Sequence, residues 1–325
     1  MKIIFFYRNH KVGYSIGKVF DSILEQFPDK KRIEVPCHNS SLLAIAKNMA
    51  CVFTHRDRNL VNHVTGDIHY VLPALLGCKT VLTIHDTSCY DCCHSQIKKW
   101  IVKLLWLTIP LKIATKVVCI SEETRRCVKR FTRRDDLIVI YNPVDDSFIT
   151  CRKEMDANCP KFLIIGTAWN KNIVNTLKAL DGIKGEVTIV GTLSENQKKV
   201  ASGLKQMKVR TLPGLTDQAL LEEYKNCDIV LFCTIFEGFG MPIIEGQKIG
   251  RAIITSNIEP HKEIAGDGAL FVDPHSVEDI RKAVLSVVND DDLYNKLVDK
   301  GLENVKRFDV RRIASEYTRI YSEIL

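Results

Sequence analysis

Along these 325 residues, short apolar runs alternate with helix-length amphipathic segments, and the alternation begins afresh half-way along. Parallel strands need a long crossover between them, and a helix that covers the sheet supplies it, so this pattern reads as strands wrapped by helices on both faces. In the first half the strand candidates are residues 2–6, 32–35, 51–54, 80–84, 117–120 and 137–141. In the second half they are 162–166, 187–191, 209–212, 228–233, 252–255 and 269–272, with helices expected over 217–226 and 277–288. The stretch 143–160 is polar, aperiodic and bounded by prolines, which marks it as a linker. The expected architecture is α/β, with two doubly wound domains over 1–150 and 151–307. A last helix in 308–325 carries Ile313, Tyr317, Ile320 and Ile324 on one face and is expected to return to the first domain. In such sheets ligands lie beyond the carboxyl ends of the strands, so a cleft between the domains is the expected seat of chemistry.

Composition narrows the class further. A hydrophobic share of 46% with 26% charged residues belongs to a folded chain rather than a disordered or fibrous one. The opening MKIIFFYRNH is too short for a secretory apolar core and fits a buried first strand. A cytoplasmic location follows as the expectation, and the twelve scattered cysteines are expected as free thiols. The most apolar long stretch, 100–120, is interrupted by Lys103, Lys112 and Lys116, so no membrane span is expected. The net charge of +7 is unevenly placed: residues 1–150 hold 22 Lys and Arg against 14 Asp and Glu, or +8, leaving −1 for the rest. Between His94 and Arg134, eleven basic residues face only Glu122 and Glu123. Two readings of that stretch stay open, peripheral contact with an anionic membrane, or a core-packing helix followed by one with a solvated charged face. Nucleic acid is not an expected partner, because the basic run lacks interleaved aromatics and no nucleic-acid fold signature accompanies it.

Four segments carry chemistry. The string FEGFGMPIIEG, 236–246, follows an apolar strand and leads into a helix opened by Pro242. Gly238 and Gly240 let backbone approach a ligand, and amides at a helix start favour a diphosphate or sugar hydroxyls. Glu237 and Glu245 offer carboxylates to vicinal hydroxyls at two points of one extended ligand; a lone acid near a helix N-terminus is the plainer reading of Glu245. In FLIIGTAWNKN a strand ends at Gly166 and Thr167, and Lys171 stands at the turn where an amine can neutralise a phosphate. Gly13, Ser15 and Gly17 form a weak glycine loop after the first strand, read either as a phosphate-side loop or as a tight strand-to-helix turn. His85, in Thr83-Ile84-His85-Asp86 at a strand end, can contact a sugar or simply cap the strand.

Glu237 and Glu245 make an E-x7-E pattern, and the strings GTAWNKN, PGLTDQALLEEYKNCDIVLF, FEGFGMPIIEGQKIGRAIITSN, EIAGDGALFVDP, TIHD, VVCISEETRRCVKRF and VIYNPVD accompany it. Together they resemble the retaining glycosyltransferases of family four, whose fold, GT-B, is two facing Rossmann-like domains with a cleft between them. The likeness spans most of the chain and is more specific in the second half. It implies a nucleotide-diphosphate sugar as donor, a GDP- or UDP-sugar, with no metal and no further cofactor. It also implies transfer of a hexose with retention to a glycan or lipid-linked acceptor, in the manner of surface polysaccharide or lipopolysaccharide assembly, at the inner face of the membrane. Carried over by position, the resemblance assigns Glu245 to the donor ribose and Glu237 to the transferred sugar. Backbone amides of Phe239, Gly240 and Met241 would serve its hydroxyls, with Gly238 also in the donor-binding turn. Lys171 would hold the diphosphate, His85 would touch the sugar, Gly13 to Gly17 would be the phosphate-side loop, and Leu215 would lie near the base. The usual paired glycines are absent from that loop, and Thr167 stands where many relatives have an Arg, which leaves phosphate neutralisation to Lys171.

The implied mechanism is dissociative. The bond to the diphosphate breaks, the acceptor hydroxyl attacks from the same face, and a diphosphate oxygen takes its proton, so the protein positions and stabilises charge. The competing readings are an epimerase or phosphorylase on the same fold, and a nucleotide-sugar-binding protein without turnover. Cys89, Cys92, Cys93 and His94 lack a second ligand pair, so zinc is not expected. Asp290, Asp291 and Asp292 are read as a helix cap rather than as a metal motif.

Overall fold

The computed structural model describes residues 2–12 and 15–325. Two compact units divide the chain: Met1–Pro143 with Phe308–Leu325, and Val144–Arg307. The first holds strands β1 (Ile3–Tyr7), β2 (Lys30–Glu34), β3 (Val61–Val64), β4 (Lys79–Ile84), β5 (Lys116–Cys119) and β6 (Leu137–Val139). They pair in parallel in the order β2-β1-β3-β4-β5-β6. The second holds β7 (Lys161–Ile165), β8 (Gly185–Val190), β9 (Met207–Leu212), β10 (Ile229–Phe232), β11 (Ala252–Ser256) and β12 (Leu270–Val272). Their order is β12-β11-β10-β7-β8-β9, again all parallel. From β7 the chain moves outward to β8 and β9, then crosses back to β10 on the other side. The strand order therefore reverses between β7 and β10, and the loops that follow these two strands open beside each other.

One expected strand was wrong. Residues 51–54 lie in the last turns of the helix Leu42–His55, whose N-cap Ser41 accepts from the Ala44 amide at 3.3 Å. The strand is Val61–Val64, with all four residues buried. Its sequence, Val-Asn-His-Val, places two polar side chains in the interior, where a count of apolar residues does not look for a strand. Both find partners, as buried polar groups must. Asn62 Nδ2 donates to the Asp57 and Leu60 carbonyls at 2.6 and 2.9 Å. His63 Nδ1 lies 2.6 Å from the Tyr321 hydroxyl and Nε2 lies 2.8 Å from Thr83 Oγ1.

Tyr321 belongs to the last helix, Val310–Ile324, capped by Asp309, which accepts from the Arg311 and Arg312 amides. Its buried face of Val310, Ile313, Ala314, Tyr317, Ile320 and Tyr321 lies in the first unit. The Tyr317 hydroxyl is 3.3 Å from Thr83 Oγ1, and the helix's two tyrosines join Phe5, Phe20, Phe27 and His63 in an aromatic cluster. The helix is thus tied by hydrogen bonds and by packing to β3 and β4.

Burial holds His63 neutral, its pKa lowered from 6.5 to about 3, and lowers that of His85 to about 4. Unfolded, both take up a proton near pH 6.5; folded, they do not until much lower pH. Their contribution is present above pH 6.5 and is lost as pH falls from there towards 4, at up to about 1.4 kcal/mol per pH unit per histidine. Thermal midpoints taken from pH 7.5 down to 4.5 should fall accordingly, and His63→Gln should make the decline shallower. An unchanged slope would remove His63 from the account.

Arg251 is the largest fully buried side chain of the second unit. Its Nε donates to the Tyr224 carbonyl at 3.0 Å and its terminal nitrogens to Lys225 at 2.8 Å, Cys151 at 2.7 Å and Gly250 at 3.0 Å. Tyr224 and Lys225 end the helix Asp217–Asn226, so the guanidinium satisfies carbonyls the helix leaves open and opposes the negative end of its dipole. Arg251→Met should lower stability by about 2–4 kcal/mol, read from urea midpoints, because four hydrogen bonds of a buried guanidinium would be lost together.

The 94–134 stretch forms the helix Gln96–Val102, a π-helical turn Lys103–Thr108, the helix Ile109–Ile113, β5 and the helix Glu122–Lys129. Asp290 accepts from the Leu293 amide at 2.9 Å and caps the helix Asp291–Asn304, as read from the sequence. Among the described residues no helix is long and apolar enough to cross a membrane.

Candidate functional site

The reversal of strand order between β7 and β10 brings the second and first motifs together. After β7 the chain turns at Gly166, whose φ of +85° suits glycine and where a Cβ would sit 3.0 Å from Lys171 Cε. A short 3₁₀ turn, Trp169–Lys171, follows, and then Asn172 in the left-handed region at φ 54° opens the helix Ile173–Ala179. Asn172 is held there by its side-chain amide, which donates to the carbonyls of Cys233 at 3.0 Å and Pro274 at 2.6 Å.

After β10 comes the turn of 233–240, which ends at Gly240 with φ 105°. A side chain there would be strained and would meet Ile243 Cδ1 at 3.0 Å. The helix Met241–Ile249 starts immediately, with Pro242 in its first turn. Lys171 Nζ lies 2.5 Å from Glu237 Oε1, and both side chains are mostly buried, 19% and 16% exposed. The amine also stands 4.8 Å from the centroid of the Phe232 ring. Asn170 adds a second donor, its Nδ2 lying 3.2 Å from the same Glu237 oxygen and 2.9 Å from the Phe236 carbonyl. The Ile235 amide in turn donates to the Asn170 carbonyl at 2.9 Å, so the two loops are laced together by backbone and side chain.

Glu245 lies in the helix Met241–Ile249, half-buried, and accepts from the Tyr224 hydroxyl at 2.5 Å through Oε2. Tyr224 is fully buried, and burial first, then the neighbouring carboxylate, pushes its phenol well above the ordinary range, so it stays a donor. His261 stands behind Gly240, with Nδ1 2.9 Å from Thr255 Oγ1. Its pKa falls to about 3, mainly through burial and next through the charge of Lys171, so the ring beside the pair is neutral. Asn170, Tyr224 and His261 were not picked out by sequence reasoning; only Asn170, beside Lys171 in the same string, left a local trace.

The remaining expected residues are placed as follows. Gly238 and Phe239 lie in the turn and Met241 begins the helix. Thr167 packs against Gly191, where a Cβ would come within 2.9 Å of its side chain, and its carbonyl accepts from Gln197 Nε2 at 3.0 Å. Leu215 sits between β9 and the helix Asp217–Asn226, one residue before the N-cap Thr216. In the first unit, His85 directly follows β4, is buried, and donates from Nε2 to the Thr65 carbonyl at 2.8 Å. Gly13 and the Ser15 side chain lie outside the described residues. Gly17 is inside the helix Ser15–Glu25 rather than in a loop, and it lines a cavity of about 90 Å³ with Tyr7, Arg8 and Arg32. Among the described residues no group of three or more His, Cys, Asp or Glu could hold a metal ion.

Two parallel α/β units define the class, and the fold is shared with solved structures. HepE from Anabaena, in complex with UDP and glucose, matches with a TM-score of 0.78 at 16% identity, over 99% of this chain and all of that one. This is the GT-B fold. The model of the glycosyl transferases group 1 matches residues 154–304 and that of glycosyltransferase family 4 matches residues 32–148. The chain belongs to the family 4 glycosyltransferases. Among its relatives, the O-antigen chain mannosyltransferase RfbU of Salmonella typhimurium is 26% identical over 229 residues, 67% of this chain and 63% of that protein. The serotype-specific mannosyltransferase WbdA of Escherichia coli is 31% identical over 106 residues, 33% of this chain and 13% of the relative. The chain thus spans less than two thirds of the length of either.

Proposed function

We propose that this protein is a retaining, metal-independent hexosyltransferase that uses a nucleotide-diphosphate sugar. The acceptor is a glycan or a lipid-linked glycan in surface polysaccharide or lipopolysaccharide assembly, and the reaction takes place at the cytoplasmic face of the membrane. The observation that carries this reading is the 2.5 Å contact of Lys171 with Glu237 beside the Gly238–Gly240 turn, at the N-terminus of the helix that bears Glu245. In this reading Lys171 exchanges part of its contact with Glu237 for the departing diphosphate. The turn amides and Glu237 hold the transferred sugar, and Glu245 with Tyr224 behind it holds the ribose. The donor phosphate accepts the acceptor's proton, so no protein base is required. The O-antigen mannosyltransferases among the relatives support GDP-mannose as the first donor to try, and the UDP complex of HepE supports UDP-glucose as the second.

The test is a thermal-shift screen of nucleotide sugars, followed by transfer to lipid-linked and soluble glycan acceptors with the product's anomeric configuration read by NMR and EDTA present throughout. Transfer with retention in EDTA is expected. Donor hydrolysis or epimerisation without transfer would overturn the reading in favour of a sugar-nucleotide-processing enzyme, and tight binding without turnover in favour of a binding protein.

A further inference from the structure

The basic stretch that sequence left open has an unusual surface. The helix Gln96–Val102 contains no buried residue. Ile97, Trp100 and Ile101 are 74%, 64% and 40% exposed and occupy positions i, i+3 and i+4, so they form one apolar stripe facing water. A two-turn helix that leaves its bulkiest apolar residues in solvent is not held by its own core contacts. It is anchored at its C-terminal end, where Val102 and Leu105 pack against the core, Leu107 and Leu111 are buried, and Trp106 Nε1 donates to the Asp67 carbonyl at 2.8 Å. At its start Ser95 caps it by accepting from the Lys98 amide.

Along the chain, the charge of the segment that carries the stripe has one sign. No acidic residue occurs between Asp91 and Glu122, while Lys98, Lys99 and Lys103 lie on or next to the helix. Lys98 and Lys103 are exposed, and the Lys99 amine stands 4.7 Å from the centroid of the Tyr90 ring. An exposed tryptophan among aliphatics, with the exposed Lys98 and Lys103 beside it, matches a surface that is apolar beneath and anionic above.

We propose that the helix Gln96–Val102 is a docking element for an anionic lipid surface. Ile97, Trp100 and Ile101 enter the headgroup boundary while Lys98 and Lys103 meet the phosphates. This identifies the membrane contact surface and goes beyond the reading of the Lys171–Glu237 site. Vesicle binding is measured without donor or acceptor, so either idea can fail without the other.

The experiment is cosedimentation of the full chain with vesicles of phosphatidylcholine alone and of phosphatidylcholine mixed with phosphatidylglycerol, at low and high salt. Binding to the mixed vesicles only, weakened by salt, is expected. Ile97→Ser with Trp100→Ala, and separately Lys98→Glu with Lys103→Glu, should each weaken it about tenfold or more. All four side chains are exposed, so thermal midpoints should stay at the parent value, which separates loss of docking from loss of fold. Absence of binding to the mixed vesicles, equal binding to phosphatidylcholine alone, or undiminished binding by both double variants would overturn the proposal.

Discussion

Lys171→Ala should lower kcat by about two to three orders of magnitude while leaving the KM for the donor within a few-fold of the parent. The reason lies in when the amine is needed. In the resting protein Glu237 balances it at 2.5 Å. In the proposed reaction charge grows on the diphosphate only as the glycosidic bond breaks, so an interaction with Lys171 would be stronger in the transition state than in the ground state. In the proposed reaction Thr167, at the position where the family likeness would put an Arg, brings no second cation, which would concentrate the effect on Lys171. Glu245→Ala should behave differently. Its carboxylate, oriented by the Tyr224 hydroxyl at 2.5 Å, is assigned to a part of the donor that does not react. Donor affinity should therefore fall about tenfold or more with kcat largely kept. Glu245→Gln, which retains an acceptor for Tyr224, should lose less. Steady-state kinetics on both alanine variants, with thermal midpoints as a folding control, make the comparison. Parent-like kinetics in both would sink the site assignment.

Removal of the last helix, Val310–Ile324, should unfold the first unit at room temperature. The helix buries six side chains, among them Tyr317 and Tyr321, and it supplies the hydroxyl 2.6 Å from His63 Nδ1. Loss of one buried aromatic costs about 3–5 kcal/mol, which is comparable to much of the stability of an ordinary domain. Tyr321→Ala alone should cost about that amount in a urea titration. Tyr321→Phe should cost about 1–2 kcal/mol, since the ring stays and only the partner of His63 goes. A truncated chain with the parent's urea midpoint would show that the helix is dispensable.

The α/β alternation, eleven of the twelve strands among the described residues and the helices Asp217–Asn226, Val277–Val288 and Val310–Ile324 were legible because each pattern is local. β3 was not, because Asn62 and His63 are tolerated inside only by partners at Asp57, Leu60, Thr83 and Tyr321. The apolar end of the helix Leu42–His55 took its place in the reading, since a short apolar run has the same appearance in a strand and in a helix. The two glutamates and Lys171 were found as motif positions. Tyr224, Asn170 and His261, which orient or surround them, were not, because their importance arises from contacts rather than from spacing. Arg251 gave no signal either: a lone Arg after a helix reads as surface, yet here it is fully buried on four carbonyls.

By itself, then, the sequence determined the class of fold, the motif positions proposed to grip a nucleotide sugar, and the excess of positive charge before Arg134. Periodicity, turn chemistry and net charge are properties of neighbours along the chain. What only the tertiary structure decided was which of these groups meet. The strand order reverses between β7 and β10, which sets Lys171 on Glu237 across 66 residues of chain. The last helix closes on β3 and β4 from more than 230 residues away. The Ile97–Trp100–Ile101 stripe is turned to solvent rather than to the core. Such pairings depend on how sheets and helices stack, and stacking is settled by the burial of the whole unit rather than by any one segment.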